Sequence, residues 1–232
     1  MRIDFHSHIL PELDDGARSV EESLGLLELL KGDNVDAVVA TPHLYLHRQS
    51  VEKFLARRER SVRMLSEAVQ GRDLPQVIVG AEIYFANALN ELPLDELCIG
   101  DTDYVMIELP YNTFSRTFIN TFTDFVNCCE KRIILAHIER YFDYNQADYM
   151  EEIMSFDVLS QVNCDSVENI RSRKLFGKLI KSGKVHLLGT DLHSIDRRPP
   201  MFGKAERYIR RKVSDKAFEK MMTTAEGILF KC

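Results

Sequence analysis

Short apolar runs recur along the chain near Arg2–His6, Ala37–Thr41, Val77–Ile83, Tyr104–Leu109, Arg132–His137, Val158–Val162 and Val185–Thr190. Each has the length of a strand, and most are near-continuous in aliphatic residues, the pattern of strands covered on both faces. Between them the period changes to that of helices. Val20, Leu24, Leu27 and Leu30 repeat at three and four residues, with Ser19 as N-cap and Glu22 completing a capping box. Val51–Val69 is longer, charged along one side and followed by Gly71. Thr117–Cys129, Ala147–Met154 and Ser166–Lys181 follow, the last stopped by Gly183; after the seventh strand come only helices, about Gly203–Val213 and Asp215–Leu229. There is no internal repeat, low-complexity segment or Pro/Gly/Ser-rich linker. Strands alternating with helices predict one α/β domain over residues 1–232, a distorted seven-stranded (β/α) barrel.

The downstream ends of these runs carry the chemistry. IDFHSH ends in His6 and His8, VVATPH in His43, and VIVGAE in Glu82; YVMIE, IILAH and GTDLH add Glu108, His137, and the pair Asp191 and His193. In a barrel the C-terminal strand ends open onto one face, so residues spread through the chain converge there. Alternate residues of a strand share a side, so H-x-H and D-x-H each present two donors to one ion. Asp14 and Asp15 lie in a turn that can fold over the barrel mouth, with ordinary turn chemistry the expected role for one of them. Glu82 and Glu108 weigh most. A carboxylate inside an apolar strand is costly unless paired or metal-bound, and neither strand offers a local Arg or Lys. The set predicts a polynuclear metal site at the C-terminal strand ends.

Counting Asp15, five histidines and four carboxylates are too many for one ion. Three divalent cations carry +6 against −4 from the carboxylates, leaving roughly +2, which suits a phosphate dianion and a hydroxide. Ions roughly 3.5–4 Å apart can clamp phosphoryl oxygens and deprotonate water. Nitrogen and oxygen donors without thiolate fit Mn²⁺, Fe²⁺ or Zn²⁺. Arg140 and Arg198 lie three and five residues beyond His137 and His193, placing guanidinium groups at the mouth to hold phosphate oxygens. The segment Arg171–Lys212 is basic, with Arg171, Lys174 and Lys178 read as a solvated helix face.

Composition changes this picture little. With 45% hydrophobic and 28% charged residues in 232, the chain is an ordinary soluble globule, and a net charge of −6 argues against nucleic-acid binding. No apolar run suggests a signal peptide or a membrane span. Cys98, Cys128, Cys129, Cys164 and Cys232 form no CxxC pair or regular framework, as expected of reduced thiols in a cytoplasm, and Cys98 and Cys164 read as core residues. Cys128-Cys129 lacks the Cys-x5-Arg spacing of thiol phosphatases. His186 reads as a hydrogen-bonded core histidine and His47 as a surface loop residue. Tyr84, Tyr111 and Tyr141 flank ligand types and either stack on an aromatic substrate or pack.

His6-Ser7-His8 with DDGAR, ATPH, GAEIY, HIERY and TDLHSIDRRPP resembles the motifs of the PHP superfamily (polymerase and histidinol phosphatase). Within it, the pattern is similar to the bacterial manganese-dependent tyrosine phosphatases of capsule and exopolysaccharide operons, the CpsB/YwqE family. The likeness runs from the first strand to about Pro200. It implies the PHP-type barrel with three ions per chain, manganese favoured. His6, His8, Glu82 and Asp191 would bind one; Glu82, Glu108 and His137 a second, Glu82 bridging; Asp15, His43 and His193 the third. It makes Arg140 and Arg198 the phosphate-contacting arginines. Ile138 stands where the family has Pro, and the family's ATPHH-like stretch reads His43-Leu44-Tyr45-Leu46-His47, which alters the pocket rim. The implied activity is hydrolysis of phosphotyrosine in proteins, the partner being the Tyr-rich tail of a bacterial tyrosine kinase that controls polysaccharide export. Alternatives are a small-molecule phosphatase acting on a histidinol-phosphate-like substrate, a PHP phosphoesterase or nuclease, and a non-catalytic binding module.

Overall fold

The computed structural model describes residues 1–86, 88–89 and 92–230. Among them are nine strands, all paired in parallel: β1 (Ile3–Ser7), β2 (Ala37–Ala40), β3 (His43–Leu44), β4 (Gln76–Val79), β5 (Glu82–Tyr84), β6 (Tyr104–Glu108), β7 (Arg132–Leu135), β8 (Val158–Asn163) and β9 (Leu187–Gly189). They form a three-stranded sheet, β1-β2-β4, and a curled six-stranded sheet, β3-β5-β6-β7-β8-β9. The second apolar run forms β2, with the short β3 added beyond Pro42, and the third is divided into β4 and β5 at Gly80. Pro42 has no N–H to give a ladder, and Gly80 lies where a Cβ would come within 2.9 Å of the Ile99 side chain. Pairing resumes beyond both breaks, with Pro42 O accepting from Glu82 N and His43 opposite Glu82.

Seven α-helices connect or cover the strands: α1 (Val20–Gly32), α2 (Val51–Ala68), α3 (Arg116–Cys128), α4 (Ala147–Ile153), α5 (Ile170–Lys181), α6 (Phe202–Lys212) and α7 (Asp215–Leu229). Ser19 caps α1 through Glu22 N, as the sequence predicts. Helix α5 starts later than the pattern suggests. Cys164–Val167 form a separate 3₁₀ turn, and the Asn169 side chain accepts from Ser172 N and sets the true N-cap. One core cluster lies between strands and helices; a smaller one gathers Ile3, Phe5, Val39, Met106, Ile134 and Leu187 with Ala225 and Ile228 of α7.

Strands β1 and β9 meet just past their ends. His8 N donates to Leu192 O, and Asp191 N to His6 O. The buried Asp4 carboxylate receives both the N–H and the hydroxyl of Thr190. A Cβ on Gly189 would stand 2.6 Å from the Cβ of His6, so this seam closes only around a glycine. Among the described residues no helix is long and apolar enough to cross a membrane. Cys98 and Cys164 are buried, Cys129 is half-buried and Cys128 exposed; all four are free thiols, and Cys232 lies outside the described residues.

His186 precedes β9, half-buried, and its Nδ1 accepts from Ser160 N at 3.0 Å. Burial, with the charge of Lys220, lowers its pKa. The neutral ring therefore contributes stability above the unfolded value of about 6.5, and that contribution is lost as pH falls through the folded value. His186→Leu should cost about 1 kcal/mol at roughly pH 7.5 and progressively less toward about pH 5. Urea unfolding of both proteins across this range checks it; a gap independent of pH would contradict the role.

Candidate metal centre

Seven strand ends and loops deliver the candidate ligands to one place. The β1–β2 register shifts between Asp4 and Ser7, within the last residues of β1; His6 lies in this stretch and His8 just beyond it, both fully buried. Glu82 opens β5, and Glu108 ends β6 on the face shared by Tyr104 and Met106. His137 and Asp191 stand just beyond β7 and β9 with φ of 33° and 51°. Left-handed backbone at residues other than glycine is sparsely populated and collects at functional sites.

All nine predicted residues are brought together. Donor atoms within 4.8 Å of one another form the groups His8–Asp15–His43–His193, His6–Glu82–His137, His6–His8–Asp191 and His43–Glu82–Glu108. The grouping differs in detail from the one the motifs imply, since His8 also joins the Asp15 group and His43 the Glu82–Glu108 group. Glu82 occupies the middle, with Oε1 2.7 Å from His137 Nε2 and Oε2 2.8 Å from His43 Nδ1.

Two outer residues set the histidine tautomers. Asp14 Oδ2 lies 2.7 Å from His8 Nδ1 and also accepts from His43 N. Gln161 Oε1 faces His6 Nδ1 at 3.2 Å and accepts from His137 N. With Nδ1–H donated outward, both Nε2 lone pairs point inward, and they face each other at 3.2 Å. Two neutral rings would set lone pair against lone pair at that distance; a proton or a metal cation between them removes the repulsion. The pKa of both rings, raised in spite of burial, shows the pull of the surrounding carboxylates for positive charge. The buried His43 Nδ1 and Glu82 Oε2 stand 2.8 Å apart but are not aligned as a hydrogen bond, and among the described residues neither has another hydrogen-bond partner. Orphaned donor atoms of a nitrogen-and-carboxylate set fit divalent cations. Gly16 completes the turn that holds Asp14 and Asp15: a Cβ there would stand 2.1 Å from His8 O.

The electrostatics follow from this crowding. Burial opposes ionisation of Glu82, but the charges of His6 and His43 and the hydrogen bond from His137 outweigh it and hold the carboxyl well below its usual range. Asp191 is held low in the same way by His6 and Arg140. Glu108 is pushed up to about 7, by burial first and by the Glu82 charge second. Burial lowers His137 to about 4.

Arg140 and Arg198 both turn onto Asp191. Arg140 Nη2 lies 2.8 Å and Arg198 Nη1 3.3 Å from Asp191 Oδ2, which also accepts from Asn163 Nδ2. The other oxygen, Oδ1, faces His8 at 3.3 Å and His6 at 3.6 Å. One carboxylate thus joins the arginine pair to the histidine cluster. The sequence reading missed Gln161 and Asn163, although polar residues at the end of the otherwise apolar VLSQVN were a usable signal. Of the two turn aspartates, Asp14 shows the turn chemistry expected of one of them, its Oδ1 accepting from Gly16 N, while its other oxygen orients His8.

At the rim, the Tyr45 hydroxyl lies 3.4 Å from Glu108 Oε2 and its ring 5.6 Å from that of Tyr84. The Tyr111 hydroxyl sits 3.2 Å from the His137 ring. Tyr141 is buried and accepts from Leu109 N, so it packs. His47 is exposed. Arg171, Lys174 and Lys178 are solvated, as expected.

Known proteins share this arrangement of chain. The chain is 30% identical over 229 residues to the tyrosine-protein phosphatase CpsB of Streptococcus pneumoniae, covering 92% of each. It is 31% identical to the putative tyrosine-protein phosphatase CapC of Staphylococcus aureus, with 86% of this chain and 80% of that one covered. A solved structure described as a metal-dependent tyrosine phosphatase, in a study of YwqE from Bacillus subtilis and CpsB from S. pneumoniae, superposes with a TM-score of 0.82 at 20% identity. That match covers 98% of this chain and 94% of the other. A histidinol phosphate phosphatase from Lactococcus lactis shares the fold at a TM-score of 0.54 and 13% identity, over 95% and 93% of the two chains. A family model for capsular polysaccharide synthesis proteins matches residues 2–230, and the chain therefore belongs to the CpsB/CapC family.

Proposed function

We propose that the chain is a metal-dependent protein-tyrosine phosphatase acting in capsular polysaccharide synthesis. The observation that carries this reading is the cluster of nine nitrogen and carboxylate donors, most of them buried, with His43 Nδ1 and Glu82 Oε2 lacking an aligned partner at its middle, in a chain matched end to end by relatives called tyrosine-protein phosphatases. Three divalent ions, manganese favoured over iron or zinc, would be held by His6, His8, Asp15, His43, Glu82, Glu108, His137, Asp191 and His193. When bound they supply Lewis-acid charge and lower the pKa of water. The chain's own residues do the rest. Glu82 spans the cluster through its two oxygens, while Asp14 and Gln161 keep the His8 and His6 rings in the ligating tautomer. Arg140 and Arg198, held at the mouth by Asp191, offer forked donors to phosphate oxygens. Tyr45, Tyr84 and Tyr111 form a rim suited to an aromatic leaving group. The same reading takes residues 1–232 as one domain and the two sheets as one distorted seven-stranded barrel. The bonds across the β1–β9 seam and the pairing resumed past Pro42 and Gly80 support that count. It places the enzyme in the cytoplasm, with the tail of a bacterial tyrosine kinase as substrate. Activity on phosphotyrosine peptides against histidinol phosphate tests it; turnover of histidinol phosphate alone would overturn it.

The protein should hold more than one divalent ion per chain, and strong chelation should abolish activity. Glu82→Gln should lose more than one ion by metal analysis; full activity after complete metal removal would sink the assignment. Arg140→Ala and Arg198→Ala should lower kcat/KM by about one to three powers of ten. Metal content should stay near wild type, because Asn163 still holds Asp191. Wild-type rates in both variants would refute the phosphate role. Asp14→Ala frees the His8 ring and should weaken metal affinity by about tenfold to a hundredfold, read by chelator competition.

A further inference from the structure

Beside the metal cluster, on the side of Asp15 and His43, lies a cavity of about 530 Å³ whose lining includes Tyr45, Arg48, Lys53 and Arg57. We propose that this cavity binds a second anionic group of the substrate, a carboxylate or phosphate carried by a residue next to the phosphotyrosine. The inference rests on the tyrosine-phosphatase reading and adds a specificity subsite to it.

Four observations carry it. First, the cavity adjoins the ligands directly, since Asp14, Asp15 and His43 form its inner wall. Second, its cations are uncommitted. Arg57 bonds only to the uncharged Gln49 side chain and Leu13 carbonyl, and Arg48 lies over the Tyr45 ring, 4.7 Å from its centroid. Among the described residues none of Arg48, Lys53 and Arg57 has a carboxylate within ion-pair distance. Third, the two carboxylates of the wall are already engaged, Asp14 with His8 and Asp15 with His43 and His193. The outer part of the cavity is therefore net positive on a chain whose net charge is −6. Fourth, α2 begins here after its Ser50 cap, and the positive end of an 18-residue helix adds to the same field. Tyr45 links the two regions: one side of the residue meets His43 and Glu108, and its ring carries Arg48. The cavity on the Arg140 side has the opposite balance, four carboxylates (Glu139, Asp143, Asp165 and Glu168) against two arginines (Arg140 and Arg171) in its lining. An anion beside the phosphotyrosine is thus favoured on one flank of the mouth only.

The metal-loaded enzyme would be assayed on four substrates: p-nitrophenyl phosphate, a phosphotyrosine peptide with neutral flanks, the same peptide with flanking Glu, and the same peptide with a second phosphotyrosine. Wild type should show kcat/KM about fivefold to tenfold higher on the two acidic peptides than on the neutral one, the gain shrinking at high salt. A gain with both assigns the subsite to anions generally, and a gain with the doubly phosphorylated peptide alone assigns it to phosphate. The double variant Arg48→Gln/Lys53→Gln should lose this gain while keeping wild-type rates on p-nitrophenyl phosphate and the neutral peptide. Equal wild-type rates on all three peptides would overturn the subsite and leave the phosphatase reading intact; so would a variant loss equal on all four substrates. Turnover of p-nitrophenyl phosphate with none of any peptide would instead overturn the protein-phosphatase reading.

Discussion

Two imidazole nitrogens held 3.2 Å apart, each with its proton turned outward, define the problem that the rest of the chain solves. Left alone, His6 and His8 would rotate apart or share a proton. Gln161 and Asp14 prevent the first by accepting from the far nitrogens. Glu82 and Asp191 then bring carboxylate oxygens to within 3.3–3.6 Å of the near ones. In a buried site such carboxylates are tolerable only with positive charge among them, which protons on the rings or divalent cations can supply.

Much of this was legible in sequence, for a physical reason. A carboxylate ending an apolar strand is rarely neutral in meaning, so Glu82 and Glu108 were conspicuous, and the H-x-H and D-x-H spacings followed the alternation of strands. The spatial convergence of all nine residues followed from one topological idea, that parallel strand ends share a face. What stayed hidden was of two kinds. Breaks and resumptions of strands depend on pairing partners: Gly80 interrupts a run that looks continuous and β3 resumes beyond Pro42, because the ladder is absent from a one-dimensional pattern. The supporting residues were hidden because their types are ordinary. Gln161, Asn163 and Asp14 become functional only through the atoms they face. Likewise, the position of Arg140 and Arg198 near ligand motifs suggested the mouth, yet nothing in the sequence shows that both lean on Asp191.

That shared contact makes Asp191 a junction. Its Oδ2 gathers Arg140, Arg198 and Asn163, while its Oδ1 faces His6 and His8. The pull of the arginines keeps the carboxylate ionised, and its ionisation in turn holds the arginines over the cluster. The arginine pair and the histidine cluster therefore lean on one carboxylate: loss of Asp191 would disturb both, whereas loss of one arginine leaves Asn163 and the other arginine to hold it.

The seam between β1 and β9 joins parts of the chain 186 residues apart, as in the bond from Thr190 to Asp4. Contacts so distant in sequence are the slowest to form, because a long loop must close before they return any energy. His6 and His8 lie on one bank of this seam and Asp191 and His193 on the other. An ion held between them, as proposed, would be a rivet across the last gap to close, and would stabilise the joined chain by its own affinity. The chemistry of the centre and the closure of the molecule are thus fastened at one point, where the first and last strands meet.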